Sequence, residues 1–240
     1  MKQYLFAAAA VLLLVIGASS FIGCSSSTDS NDPSVTMTTS VSNRTVSGAA
    51  IRTNIPLGGG LTCDSVVIGR ARILISELKL HHDDEDTAGA GTIKVGPFIA
   101  EWDSTGEKIV STVTVPPGTY DKIKFEMHKL DDKNDAVLIN DPLFGDFLNG
   151  GRYTTIIDGT AYVNGTGYAF SFKTSKTDNV EMKFPATVTF SSGNSYNLAM
   201  VFDPTLVFGQ SGKSPYDPRD ASNQDEIANL IKNAIKALKK

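Results

Sequence analysis

Two cysteines, three histidines and one tryptophan in 240 residues leave little from which to build a disulfide scaffold or a catalytic cluster. With only Cys24 and Cys63 there is no Cys-rich zinc site and no cystine framework. Basic runs are missing too. The 22 Lys and Arg stand against 26 Asp and Glu, a net charge of −4, and an acidic chain without a basic stripe is a poor nucleic-acid binder. No G-x-S-x-G elbow occurs, and the histidines are confined to His81, His82 and His128, so a nucleophilic triad lacks parts. The glycine-rich stretch Pro56 to Ser65 lacks the Lys-Ser/Thr pair of a phosphate loop. Surface carboxylates are plentiful, but their number alone does not single out a glycosidase. These absences lead to the expectation that the chain is not an enzyme and carries no organic cofactor.

Only one apolar run is long. "LFAAAAVLLLVIGASSFIG" comes after Lys2 without a charge, which suits either a membrane anchor or a cleaved signal. Its end, "FIGC" from Phe21 to Cys24, resembles the lipobox of bacterial lipoproteins. That resemblance implies removal of residues 1–23 and acylation of Cys24 on its sulfur and its new amine, giving an anchor of several acyl chains. Ser25 after the cysteine is similar to the pattern that sends lipoproteins onward to the outer membrane. The expected location is therefore the cell envelope, with the membrane as a partner through lipid. Cys63 is then without a disulfide partner and reads as a small buried apolar residue. Residues 24–34 hold Ser, Thr, Asp, Asn and Pro with almost nothing to bury and read as a flexible tether.

Period-two alternation dominates the chain beyond the tether. "KIKFEMHK" puts Ile123, Phe125 and Met127 on one face and Lys122, Lys124, Glu126 and His128 on the other. "VEMKFPATVTF" keeps Val180, Met182, Phe184, Ala186, Val188 and Phe190 in one phase; Pro185 makes that strand an edge or bulges it. Further strands are expected at about 35–41, 65–80, 92–100, 108–115 and 153–163, and in "YAFSF" and "YNLAMVF". Asn164-Gly165 suits a type I′ hairpin. Such short strands between Gly and Pro turns predict a mainly β domain over 35–208, an antiparallel β-sandwich, with Asn140 to Gly151 as a short helix or ordered loop closing one end. A linker at 209–221 leads to an amphipathic helix over 222–240. There Ile227, Leu230, Ile231, Ala234, Ile235 and Leu238 form one stripe, and Ser222 and Asp225 a start signal.

"VPPGTYDKIKFEMH", Val115 to His128, resembles the strand-turn-strand segments of prealbumin-like sandwiches. With the "ISELKL" strand and Gly96 to Phe98 it is also similar to a group of uncharacterised bacterial envelope lipoproteins, over about 65–208. The resemblance implies a prealbumin- or immunoglobulin-like fold and a location, and no activity. Physically, Pro117 fixes its φ, Gly118 is free to turn, and Tyr120 offers a ring to the core and a hydroxyl to its rim.

"LHHDDED" is the one cluster with metal-ligand chemistry. His81, His82, Asp83, Asp84 and Asp86 offer imidazoles for Zn²⁺ or Cu²⁺ and carboxylates for Ca²⁺, and a second acidic loop runs from Asp131 to Asp135. EF-hand spacing is absent, since Ala88 stands where Gly is needed. Two adjacent histidines reach one ion only if the strand has already ended. A solvated turn that blocks edge pairing is the alternative. Three functions stay open: a non-catalytic binding or structural module with an envelope protein or glycan partner, for which Trp102 and the tyrosines could line a sugar platform; a divalent-cation-binding surface domain; and an assembly subunit. The third resembles the lipidated fimbrial proteins of Bacteroidetes, which exchange strands after cleavage at an arginine. Arg44 and Arg52 stand at fitting distances, with "VTMTTSV" as the removable strand.

Overall fold

The computed structural model describes residues 31–41, 45–47, 61–82, 93–103, 107–130, 138–209 and 214–239. Residues 1–23, Cys24, Arg44, Arg52, Asp83, Asp84, Asp86 and the Asp131–Asp135 loop lie outside that set.

Three sheets enclose the main core. The first joins β1 (Ser34–Val41), β7 (Lys108–Thr114), β12 (Ser195–Phe202) and β13 (Ile235–Lys239) in the order β13-β12-β1-β7. The second has β3 (Ser65–Ile75) between β9 (Thr155–Val163) on one side and β2 (Thr45–Ser47) and β6 (Phe98–Asp103) on the other, with β10 (Thr166–Thr174) outside β9. The third runs β11-β8-β4-β5, from β11 (Asp178–Phe190), β8 (Gly118–Met127), β4 (Glu77–His82) and β5 (Ile93–Val95). Pairing is antiparallel throughout the described residues except between β1 and β12, which run parallel. The fold is thus a β-sandwich, with this one departure from the antiparallel expectation.

The expected strand at 65–80 breaks at Ser76, and the one at 92–100 breaks at Gly96-Pro97. Both breaks lie at one corner. The Ser76 N–H and Oγ each donate to the Glu126 carbonyl, at 2.8 and 2.9 Å, which turns β3 of one sheet into β4 of another. Facing it, Gly96 has φ +140°, and a Cβ there would lie 2.6 Å from the Ser76 carbonyl oxygen. Only glycine admits both the backbone angle and the approach. Two paired strands therefore bend together from one sheet into the next, as at the corners of orthogonally packed sheets.

Alternation reads out directly in β8: Ile123, Phe125 and Met127 are buried, in one core with Leu198, Phe190, Phe172 and Trp102 of the other strands. β11 is both an edge and bulged. Its register against β8 shifts between Lys183 and Val188, around Pro185, and the shift leaves Ala186 exposed although its phase predicted burial. Asn164 and Gly165 take φ +52° and +76° in the β9–β10 turn, the left-handed pair a type I′ hairpin requires.

The segment 138–153 contains α1 (Gly145–Leu148) and straps the outer face of the second sheet. Phe144 and Phe147 pack there with Leu74, Leu130 and Ile156 as a small second core. Arg72 reaches up from β3 to bond Asp146 at 2.5 Å, lies 5.8 Å from the Phe147 ring, and has Asp158 at 3.5 Å.

Ile227, Ile231, Ala234 and Ile235 of the predicted C-terminal stripe are buried and Leu230 is half-buried, but not as one helix. α2 covers only Gln224–Leu230, a tighter 3-10 turn takes Ile231–Ala234, and Ile235–Lys239 forms β13. Ile227, Ile231, Ala234 and Ile235 are all in the core, so the helix docks on the sandwich. The last turns become strand because β12 would otherwise present an open row of N–H and C=O groups, which β13 satisfies from Phe202↔Ile235 onward. The start signal also differs. Asp220, not Ser222, is the capping residue, accepting from the Ser222 N–H and hydroxyl.

Much of the expected linker is packed. Thr62 bridges Tyr216, the Asp217 N–H donates to the Leu61 carbonyl, and buried Asn223 donates to the carbonyls of Leu61 and Asp217 at 2.7 and 3.0 Å. The tether is likewise shorter than composition suggested. From Asn31 onward its carbonyls accept bonds, Gly193 N–H to Asn31 at 2.6 Å and Val115 N–H to Pro33 at 3.0 Å.

Candidate functional site

β4 carries the histidine pair to the end of the third sheet. Its backbone stays extended through His82, so it does not supply the strand end that would let two adjacent imidazoles share an ion. His81 lies opposite Lys122, and His82 opposite Tyr120, because Asp121 is bulged out of the β8 register between them. His81 Nε2 and Asp121 Oδ1 are both buried from water and lack a hydrogen-bond partner among the described residues. Burial, followed by the charges of Lys124 and Lys122, holds the His81 imidazolium below its usual range.

The rows around it are basic. Lys122 faces His81 on one side and Lys183 on the other, while Lys79 and Lys124 face each other one row along. Lys79 pairs with Glu77 and Glu126, and Lys124 with Glu181 at 3.2 Å. The burial and the Lys124 and Lys122 charges that disfavour the imidazolium also disfavour a metal cation at Nε2, with Glu181 and Asp121 acting in the opposite sense. Among the described residues, no three His, Cys, Asp or Glu side chains come together in a set that could hold a metal. His128 is elsewhere, with Nε2 3.1 Å from Asn179 Oδ1. Asp83, Asp84 and Asp86 fall outside the described residues, so the structure brings together only the histidine end of the proposed cluster.

A melt decides the matter for the whole chain. An ion held by the native state alone raises stability by RT ln(1 + [L]/Kd), about 2.7 kcal/mol at a hundredfold excess over Kd. The expected result is no shift in the Tm of chelator-treated protein, either with millimolar Ca²⁺ or with micromolar Zn²⁺. A Ca²⁺ shift abolished by Asp83→Asn with Asp86→Asn, or a Zn²⁺ shift lost below about pH 6 as the imidazoles protonate, would establish the site.

Cys63 stands in a setting that disfavours its thiolate. It is buried, its Sγ lies 3.7 Å from the carbonyl oxygens of Pro215 and Tyr216, and burial followed by Asp217 pushes its pKa up to about 12. The thiolate is the attacking form of a cysteine, and this setting opposes it. Tyr120 is structural in the way the turn implied: its ring packs 5.3 Å from Phe190 and its hydroxyl donates to the Pro116 carbonyl at 2.8 Å. Burial, with Asp32 adding to it, pushes that phenol up to about 12 as well.

Trp102 does not line a surface platform. It is 1% exposed, donates Nε1–H to the Met200 carbonyl at 3.0 Å and packs 5.4 Å from Phe202. Among the described tyrosines Tyr168 is the most open to solvent, 44% exposed, with the Arg219 guanidinium 4.4 Å over its ring.

One buried charge is a residue that strand alternation did not flag. Arg72 is buried beneath the strap, paired to Asp146 and Asp158, and its Nε has no partner among the described residues. An arginine inside "GRARILI" looks like any solvent-facing strand residue. Only the placement of Asp146, over seventy residues away, makes it an internal anchor. No family model matches the chain, and neither the curated proteins nor the solved structures compared with it yield a match.

Proposed function

We propose that this protein is a lipid-anchored module of the cell envelope that binds or braces a partner without catalysis. The reading rests on the order of parts along the chain. A lipobox-like "FIGC" ends the long apolar run, and ten residues after Cys24 the first strand begins at Ser34. The described residues beyond that point form a packed β-domain in which Cys63 lies in the core, His128 lies against Asn179 and Arg72 is held beneath the strap. An envelope protein or a glycan at the outer membrane fits such a module as partner, through its faces and turns.

A second reading has one observation in its favour. β1 sits in the middle of its sheet, between β12 and β7, and Arg44 comes three residues after Val41. Loss of β1 by cleavage there would open a slot for a strand from another subunit, as an assembly subunit needs. The mature N-terminus separates the two. An acylated Cys24 in the working form supports the anchored module, and a chain starting after Arg44 supports assembly.

The direct test is Cys24→Ala with a palmitate analogue supplied during growth. Wild type is expected to take the label and fractionate with membranes. The variant loses the label and becomes soluble or stays uncleaved, and its domain melts at the wild-type temperature because position 24 precedes the first strand. An unlabelled wild type would remove the anchor.

A further inference from the structure

If Cys24 is acylated, the fold also dictates which end of the domain the membrane meets. This step rests on the proposed anchor. Three backbone bonds clamp the chain where it enters β1: Gly193 N–H to the Asn31 carbonyl at 2.6 Å, Ser34 N–H to Asn194 at 3.0 Å, and Val115 N–H to Pro33 at 3.0 Å. Asn31 is thereby fixed to the end of the sandwich formed by two turns, Pro116–Gly118 between β7 and β8 and Ser191–Asn194 between β11 and β12. The strand registers place these turns at one end. Ser34 pairs with Thr114 and with Ser195, and Gly118 pairs with Phe190.

Six residues, Ser25 to Ser30, separate Cys24 from Asn31, and the seven steps of chain between the two reach at most about 25 Å even when fully extended. The opposite end is farther off than that. β8 rises from Gly118 to Met127, about 30 Å at the usual spacing, and its far end leads to the strap carrying α1. The near turns are also suited to a surface. Pro116, Pro117 and Ser191 to Asn194 are exposed, and neither Thr114–Gly118 nor Thr189–Ser195 contains a charged residue.

We propose that the end of the domain formed by the Pro116–Gly118 and Ser191–Asn194 turns stands against the bilayer to which Cys24 is anchored, and that the strap over residues 138–153 faces away from it. The outward end, with exposed Ile139 and Leu143, is then the end available to a partner in the surrounding space. His82, where the acidic run begins, belongs to the membrane-facing end, because it pairs with Tyr120 two residues from Gly118.

The test uses full-length protein taken from membranes and reconstituted into phosphatidylethanolamine and phosphatidylglycerol vesicles. Ser192→Cys and Asn140→Cys each place one donor fluorophore, Cys63 being buried and Cys24 acylated. Energy transfer to acceptor-labelled headgroups is read for both. The expected result is transfer from position 192 about twofold or more above that from position 140, given the ~30 Å between the ends. Inserting about twenty Gly and Ser residues after Ser30 should shrink the difference, since the tether then spans the domain. Equal or reversed transfer from protein that floats with the vesicles overturns the orientation and leaves the anchor standing. Full-length protein that does not float overturns both.

Discussion

Phe125→Ala is expected to cost the folded domain about 3–5 kcal/mol, while Lys124→Ala stays within about 0.5 kcal/mol. The residues are neighbours on β8 and differ in which way the pleat turns them. Phe125 is fully buried and faces Leu78 of β4 on one side and Val180 of β11 on the other, so truncation leaves a cavity with rigid strands around it. Lys124 points outward to Glu181 across the same pair of strands, an exposed ion pair of little worth. Urea melts of the two variants with unchanged m-values measure the contrast. Similar losses in both would show that the inward phase of β8 is wrong.

Trp102→Ala should be as damaging, about 3–5 kcal/mol from the lost ring alone. It also leaves the Met200 carbonyl without the indole N–H, an added cost of about 1–3 kcal/mol if no other donor reaches it. Tyr168→Ala removes an exposed ring and one cation–π contact, about 0.5–1 kcal/mol. As Trp102 is the sole tryptophan, wild-type fluorescence should be that of a buried indole and should move to longer wavelength in the denaturant transition. A glycan that quenches Trp102 in the folded protein would contradict its place in the core, whereas a sugar effect that depends on Tyr168 would not.

The candidate site was legible only as far as its composition. Two histidines and a run of acids stand out in any sequence, and they ask for a metal. What surrounds the histidine is set across strands: Lys122 comes opposite His81 because β8 pairs with β4, and Lys183 lies beyond Lys122 on β11, from positions some 40 and 100 residues later. Arg72 shows the same limit from the other direction. Its neighbours in the chain give no hint of burial, and its partner arrives on a strap inserted after β8.

What the sequence alone determined is whatever depends on near neighbours. Alternation selected the buried face of β8, Asn164-Gly165 the β9–β10 turn, and Pro185 the break in β11, since each is set by the pleat, by backbone angles or by a missing donor. Burial of Ile227, Ile231, Ala234 and Ile235 belongs here too, because apolar spacing records that a face is covered. Tertiary structure decided what covers it and in which form. Ile235 to Lys239 are strand rather than helix because β12 has an edge to be satisfied, and β1 runs parallel in the middle of its sheet because β7 and β12 leave that slot between them. The bend at Ser76 needed Gly96 from the partner strand. Such choices turn on hydrogen-bond partners remote in the chain, which no local pattern carries.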